Sequence, residues 1–186
     1  MTGAQGTAAW ELELRTTSAA GTQDVAKRLG AELRPGDLLL LTGELGAGKT
    51  TFTQGLGEGL GVRAGIISPT FVLVRIHPAL GSGPDLVHVD AYRLGSAAEI
   101  DDIDLENTMD TAVTVVEWGQ GMVEHLAESR LEVTLLRATG GQTGTEGGLV
   151  TDFSTDFSTE DDAEERTIRI AGYGPRWASA PNLDGS

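Results

Sequence analysis

The apolar positions change period several times along the chain. Residues 10–15, Trp-Glu-Leu-Glu-Leu-Arg, alternate apolar and polar side chains, the two-residue period of a half-exposed strand. Thr16, Thr17 and Ser18 then offer helix caps before a segment whose Val25, Ala26, Leu29 and Leu33 fall on one helical face, and Pro35-Gly36 ends it. Residues 38–41 are four consecutive leucines, the signature of a strand covered on both faces. A helix is predicted over 50–60, although Gly55, Gly57 and Gly59 each weaken it by about 1 kcal/mol relative to Ala. Strands are predicted at 71–74, 86–89, 113–116, 131–136 and 167–170, one or two short helices over 97–109, and a further helix over 120–128. Strands alternating with helices predict an α/β sandwich around a mostly parallel central sheet.

One segment breaks this rhythm. Residues 138–165 carry eight acids, no Lys or Arg, and the near-repeat Thr-Asp-Phe-Ser at 151–154 and 155–158. The stretch is too long for an ordinary turn and reads as a disordered acidic insertion between the last two strands. The tail, 178–186, also reads as disordered. The rest of the 186 residues is the length of one ordinary domain, able to bury roughly 70% of its unfolded surface without staples.

Composition then removes whole classes. The absence of cysteine excludes a disulfide scaffold, a thiol nucleophile and an iron–sulfur cluster. A net charge of -15, with no basic cluster, argues against gripping nucleic acid or an anionic membrane directly. The insertion holds more than half of that charge, so the rest of the chain is only mildly acidic. No apolar run approaches about 20 residues, and residues 1–5 lack the basic and apolar regions of a signal peptide, so a cytoplasmic protein is expected.

The strongest chemical signal is Gly43-Glu44-Leu45-Gly46-Ala47-Gly48-Lys49-Thr50, a complete G-x-x-x-x-G-K-[ST] phosphate-binding loop. Its glycines let backbone N–H groups turn inward around phosphates, Lys49 reaches the β and γ oxygens, and Thr50 offers a hydroxyl to Mg²⁺. The motif follows the leucine strand and opens a helix, whose N-terminal dipole adds to the anion site. Asp90 and Glu117 each end an apolar segment, and ligands of open α/β sheets bind outside the carboxyl ends of the strands. In P-loop enzymes such acids hold Mg²⁺ or orient the nucleophile; the alternative is a pair of strand-end caps. Ser68-Pro69-Thr70 fits either a γ-phosphate sensor or a plain turn.

Taken in order, Gly43 to Phe52, Ser68-Pro69-Thr70-Phe71, Asp90-Ala91-Tyr92-Arg93-Leu94 and Val116-Glu117-Trp118 resemble the signature of the bacterial TsaE (YjeE) family, ATPases of tRNA threonylcarbamoyladenosine synthesis. The resemblance runs from about residue 17 to 137 and implies a P-loop NTPase-like fold with ATP and Mg²⁺ as cofactors. It further implies that Thr50 and Glu117 coordinate the metal with Asp90 close by, and that Gly46, Ala47, Gly48, Lys49 and Thr51 wrap the phosphates. Thr22 is similar to a family threonine near the nucleotide, and Arg166 to a basic residue near the base. Trp118 is either a nucleotide contact or a packed aromatic, and Arg93 is a candidate arginine finger. The family's partners are TsaB and TsaD, which implies hydrolysis that is slow alone and faster in the complex.

Three rivals remain on sequence grounds. A small-molecule kinase would use Asp90 as base, but the chain after it is acidic (Glu99, Asp101, Asp102, Asp104, Glu106), with no basic lid. A GTPase would resemble G proteins in an Asn-Lys-x-Asp motif, which two lysines following Ala26 and Gly48 cannot supply. An ATP-sensing adaptor would bind without turnover.

Overall fold

The structure is a computed structural model that describes residues 6–67, 69, 73–138 and 165–184. Seven strands form one sheet: β1 (Trp10–Thr16), β2 (Leu38–Gly43), β3 (Val74–His77), β4 (Asp85–Asp90), β5 (Ala112–Glu117), β6 (Arg130–Arg137) and β7 (Arg166–Tyr173), in the order β1-β7-β6-β2-β5-β4-β3. β6, β2, β5 and β4 are parallel. Antiparallel β3 flanks them on one side, β7 and β1 on the other. The predicted α/β fold with a parallel centre is therefore present, with antiparallel margins.

The leucine run explains the layering. Leu39 and Leu41 face one core with Val113, Val115 and the helices α1 (Ala19–Glu32) and α2 (Lys49–Leu60). Leu38 and Leu40 face the other, with Val87, Val89, Val116 and the short helices α3 (Ala97–Asp101) and α4 (Glu106–Met109). A strand buried on both faces has no polar alternation to display, which is why its sequence is continuously apolar. Ser18 caps α1, accepting the Gly21 N–H at 3.1 Å. Parallel pairing then brings the carboxyl ends of β2, β4 and β5 to one edge, with Asp90 directly opposite Glu117.

Three expectations are corrected. The helix predicted over 120–128 is a loop with one 3₁₀ turn at Glu124–Leu126. Gly121 takes a left-handed φ of 79°, and the Glu124 carboxylate accepts the N–H groups of Gly121 at 2.7 Å and Val123 at 3.1 Å, so a side chain claims donors a helix would use. The strand predicted at 71–74 begins only at Val74, because Leu73 adopts a φ of 65°; Phe71 and Val72 lie outside the described residues. The tail, expected to be disordered, is described as far as residue 184 and is pinned by one buried residue, Leu183. Leu183 is only 4% exposed within the α1 and α2 core, and its carbonyl accepts from Arg28 Nη1 at 3.1 Å. Just before it, the Trp177 carbonyl accepts from Trp10 Nε1 at 2.7 Å, and Arg176 pairs in parallel with both oxygens of buried Asp37 at 3.1 Å. The low-complexity look of Ala178 to Ser186 hid one apolar anchor. Leu183→Ala is expected to cost about 2 kcal/mol, read as a lowered denaturation midpoint with an unchanged slope.

The acidic insertion lies, from 139 to 164, outside the described residues. Its two ends stand together on neighbouring strands, where the Ala138 N–H donates to the Glu165 carbonyl at 3.0 Å.

Candidate nucleotide site

β2 ends at Gly43 and α2 starts at Lys49, so the loop between them must reverse direction within five residues. Gly46 (φ 78°) and Gly48 (φ 101°) make the reversal in left-handed conformations that side chains rarely adopt. Ala47 is buried and its N–H donates to the Glu44 carbonyl at 3.0 Å. Gly48 is the N-cap of α2 and has no side chain to offer, so the first N–H groups of the helix are left for an anion rather than a capping oxygen.

Lys49 bends back over this loop. Its Nζ donates to the Gly43 carbonyl at 2.6 Å and the Glu44 carbonyl at 3.2 Å, and lies 4.9 Å from the centre of the Trp118 ring. Burial holds its ammonium below the ordinary lysine pKa, while the carboxylates of Glu117 and Asp90 act in the opposite direction. The ammonium thus sits partly desolvated, within the field of two acids.

The two acids stand side by side on β4 and β5, both nearly buried. Each is anchored through one oxygen: Asp90 Oδ1 accepts the Tyr92 N–H at 2.9 Å, and Glu117 Oε1 bonds His88 Nε2 at 2.9 Å. Immediately after Glu117, Trp118 adopts a φ of 60° and so turns over the loop, with Tyr92 edge-on to it at 5.7 Å between ring centres.

These groups enclose a cavity of about 800 Å³ lined by Gly46, Gly48, Lys49, Thr50, Thr51, Asp90, Glu117 and Arg166 among the predicted residues, and by Glu44, Leu45, Tyr92 and Trp118 besides. Trp118 lines the cavity and also packs against Lys49 and Tyr92, an arrangement compatible with either of its two readings. Gly43 contributes its carbonyl to Lys49 and Ala47 its packing, without lining the space. Thr22 does not reach the cavity: it is buried, and its hydroxyl bonds that of Thr16 at 2.9 Å. Arg93 is exposed and absent from the lining, while Ser68 and Thr70 lie outside the described residues.

The site has members that sequence reasoning passed over. Arg137 pairs across the ladder with Arg166, and the two side chains flank the loop, Arg137 beside Gly46 and Arg166 beside Gly48. An antiparallel pairing of the strands around the insertion would have placed them opposite each other. His88 falls inside the strand predicted at 86–89, and the signal for it is a polar residue two positions before Asp90 in an apolar segment, on Asp90's face.

No cluster of three or more His, Asp or Glu side chains that could hold a metal occurs among the described residues. Mg²⁺ does not need one, since it takes one or two carboxylates together with substrate phosphates and keeps its waters. Thr50, Asp90 and Glu117, all oxygen donors lining one cavity beside the loop from Gly43 to Thr50, fit that requirement. No helix among the described residues is long and apolar enough to cross a membrane.

Comparison with known proteins gives the same grouping. Residues 16–144 match the family model of the threonylcarbamoyl adenosine biosynthesis protein TsaE. The chain is 49% identical over 160 residues to the tRNA threonylcarbamoyladenosine biosynthesis protein TsaE of Streptomyces coelicolor, covering 85% of this chain and 95% of that one. It is 40% identical over 129 residues to the Bacillus subtilis protein of the same name, covering 69% and 79%. The crystal structure of Bacillus subtilis YdiB superposes with a TM-score of 0.64 at 29% identity, over 93% of this chain and 92% of that one. With the phosphate loop, the two strand-end acids and the fold in place, the chain belongs to the TsaE family of tRNA threonylcarbamoyladenosine biosynthesis.

Proposed function

We propose that this protein is a Mg²⁺-dependent ATPase that acts with TsaB and TsaD in forming threonylcarbamoyladenosine on tRNA. The observation that carries the proposal is the convergence of Lys49, Thr50, Asp90 and Glu117 on a single cavity at the carboxyl ends of parallel strands. In phosphoryl transfer there is little covalent work for a protein to do, and catalysis lies in positioning and charge stabilisation. The loop N–H groups and the α2 N-terminus hold the phosphates, and Lys49 neutralises charge on their outer oxygens. Thr50 and Glu117 would hold the metal, which would supply positive charge to offset the charge that develops on the phosphates. Asp90, fixed by the Tyr92 N–H, orients the attacking water.

Arg166 lines the cavity beside Gly48, Arg137 lies beside Gly46, and Arg93 does not line it. A charge supplied to the site by a partner accords with a family that works in a multi-protein pathway. Turnover of ATP is expected to be slow for the isolated chain and to rise when TsaB and TsaD are added, with tRNA modification followed in the same reactions. Equal turnover with and without the partners would reject the partner-stimulated reading. Transfer of the γ-phosphate to an added metabolite, in place of release as inorganic phosphate, would establish a kinase instead.

A further inference from the structure

We infer that His88 is a positioning residue whose imidazole fixes the Glu117 carboxylate in the orientation in which it serves the cavity, as a metal ligand on the reading proposed above. His88 sits in the middle of β4 at 0% exposure, in a segment otherwise made of Leu86, Val87 and Val89. A buried imidazole costs free energy unless its polar atoms are paired. Its Nε2 has one partner, Glu117 Oε1 at 2.9 Å, and its Nδ1 has none among the described residues. The tautomer that fits carries the proton on Nε2 and donates it to the carboxylate, leaving Nδ1 as a bare acceptor and avoiding an orphan donor. An apolar side chain would fill this strand position without leaving any nitrogen unpaired, so packing does not account for histidine. The bond to Glu117 does, because an outer hydrogen bond of this kind orients a ligating group and is felt in metal affinity.

The geometry separates the two carboxylates by how they are held. Asp90 is fixed by a backbone N–H, which is independent of the side chain at His88, whereas Glu117, on the longer side chain, is fixed by the His88 side chain itself. Removing His88 should therefore loosen Glu117 alone.

The test is a Mg²⁺ titration of ADP binding to the full chain, followed by calorimetry, for the wild type, His88→Leu, His88→Gln and Glu117→Gln, with ADP affinity in chelator as the second readout. In His88→Leu the Mg²⁺ concentration for half-maximal enhancement of binding is expected to rise about 10-fold to 100-fold, while the affinity in chelator stays at the wild-type value. His88→Gln should recover most of the loss, since its amide can present an N–H where Nε2 stood. A wild-type Mg²⁺ response in His88→Leu beside an impaired Glu117→Gln overturns the positioning role alone. A wild-type response in Glu117→Gln as well overturns the metal assignment, and the inference with it. If His88→Leu does not fold, His88→Asn is set against His88→Gln. The shorter amide cannot reach Glu117, so equal responses of these two variants overturn the inference.

Discussion

Lys49→Ala is expected to weaken ATP binding by about 10-fold to 100-fold and to bring turnover below detection. Hydrogen bonds to charged groups contribute about 1.5–3 kcal/mol, and each 1.4 kcal/mol is a factor of ten. The ammonium has two tasks in this structure. It ties the start of the loop together through the Gly43 and Glu44 carbonyls, and it carries the cavity's positive charge opposite Glu117 and Asp90. With alanine, two carboxylates would face the phosphates without compensation from this side, and their repulsion adds to the lost contacts. Lys49→Arg keeps the charge but replaces a compact ammonium by a planar fork that cannot sit between the two carbonyls and Trp118, so it should recover little. Calorimetric titration with Mg·ATP measures the effect, and a thermal melt of each variant controls for folding. Wild-type affinity in Lys49→Ala would remove the basis for the site.

Gly59→Ala is the second large effect, and here two physical arguments predict opposite signs. Helix propensity favours alanine by up to about 1 kcal/mol in the last turn of α2, where Gly59 stands. Packing opposes it, because a Cβ on Gly59 would overlap the Lys27 carbonyl, one on Gly55 the Gln23 backbone, and one on Gly30 the Leu56 carbonyl. α1 and α2 therefore meet backbone against backbone, and an added methyl must push the helices apart. Overpacking of this kind costs about 1–3 kcal/mol, and with backbone as the obstacle the upper end applies. At about 2–4 °C per kcal/mol for a chain of this size, the melting temperature of Gly59→Ala is expected to fall by roughly 6–12 °C. A rise would show that propensity governs the position and that the helices can separate freely. Because α2 begins at the phosphate loop, its displacement should also weaken nucleotide binding in the folded fraction.

Those glycines mark where sequence reading reached its limit. Counted along the chain, Gly55, Gly57 and Gly59 weaken a helix; only the packed neighbours, α1 against Gly55 and Gly59 and the Ile66 and Val62 side chains against Gly57, reveal why the weakness is tolerated. The phosphate loop was legible because its chemistry is local: the backbone turns, the lysine and the hydroxyl are all set within eight consecutive residues. Asp90 and Glu117 were legible because a parallel sheet brings the carboxyl ends of its strands to one edge, so two strand-final acids need no further information to become neighbours. Thr22, Arg137 and His88 were not. Thr22 lies on α1 at a place fixed by how that helix meets β1, and there its hydroxyl is taken by Thr16. Arg137 acquires its position from the ladder with β7 across the insertion, and His88 from a bond to a strand 29 residues away. Trp118 needed a left-handed backbone to turn over Lys49, a conformation that an aromatic residue does not announce. The tail misled for a related reason, since one buried leucine among small and polar residues leaves no periodic pattern.

The central claim is that the loop, Thr50 and the strand-end acids form one Mg·ATP site. It is tested most directly by a crystal structure of the full chain with Mg²⁺ and a non-hydrolysable ATP analogue. The phosphates are expected against the N–H groups of residues 46–51, with Lys49 turned toward them and the metal at about 2.1 Å from the Thr50 hydroxyl and a Glu117 oxygen. An analogue bound away from the loop, or a metal held without either Thr50 or Glu117, would contradict it.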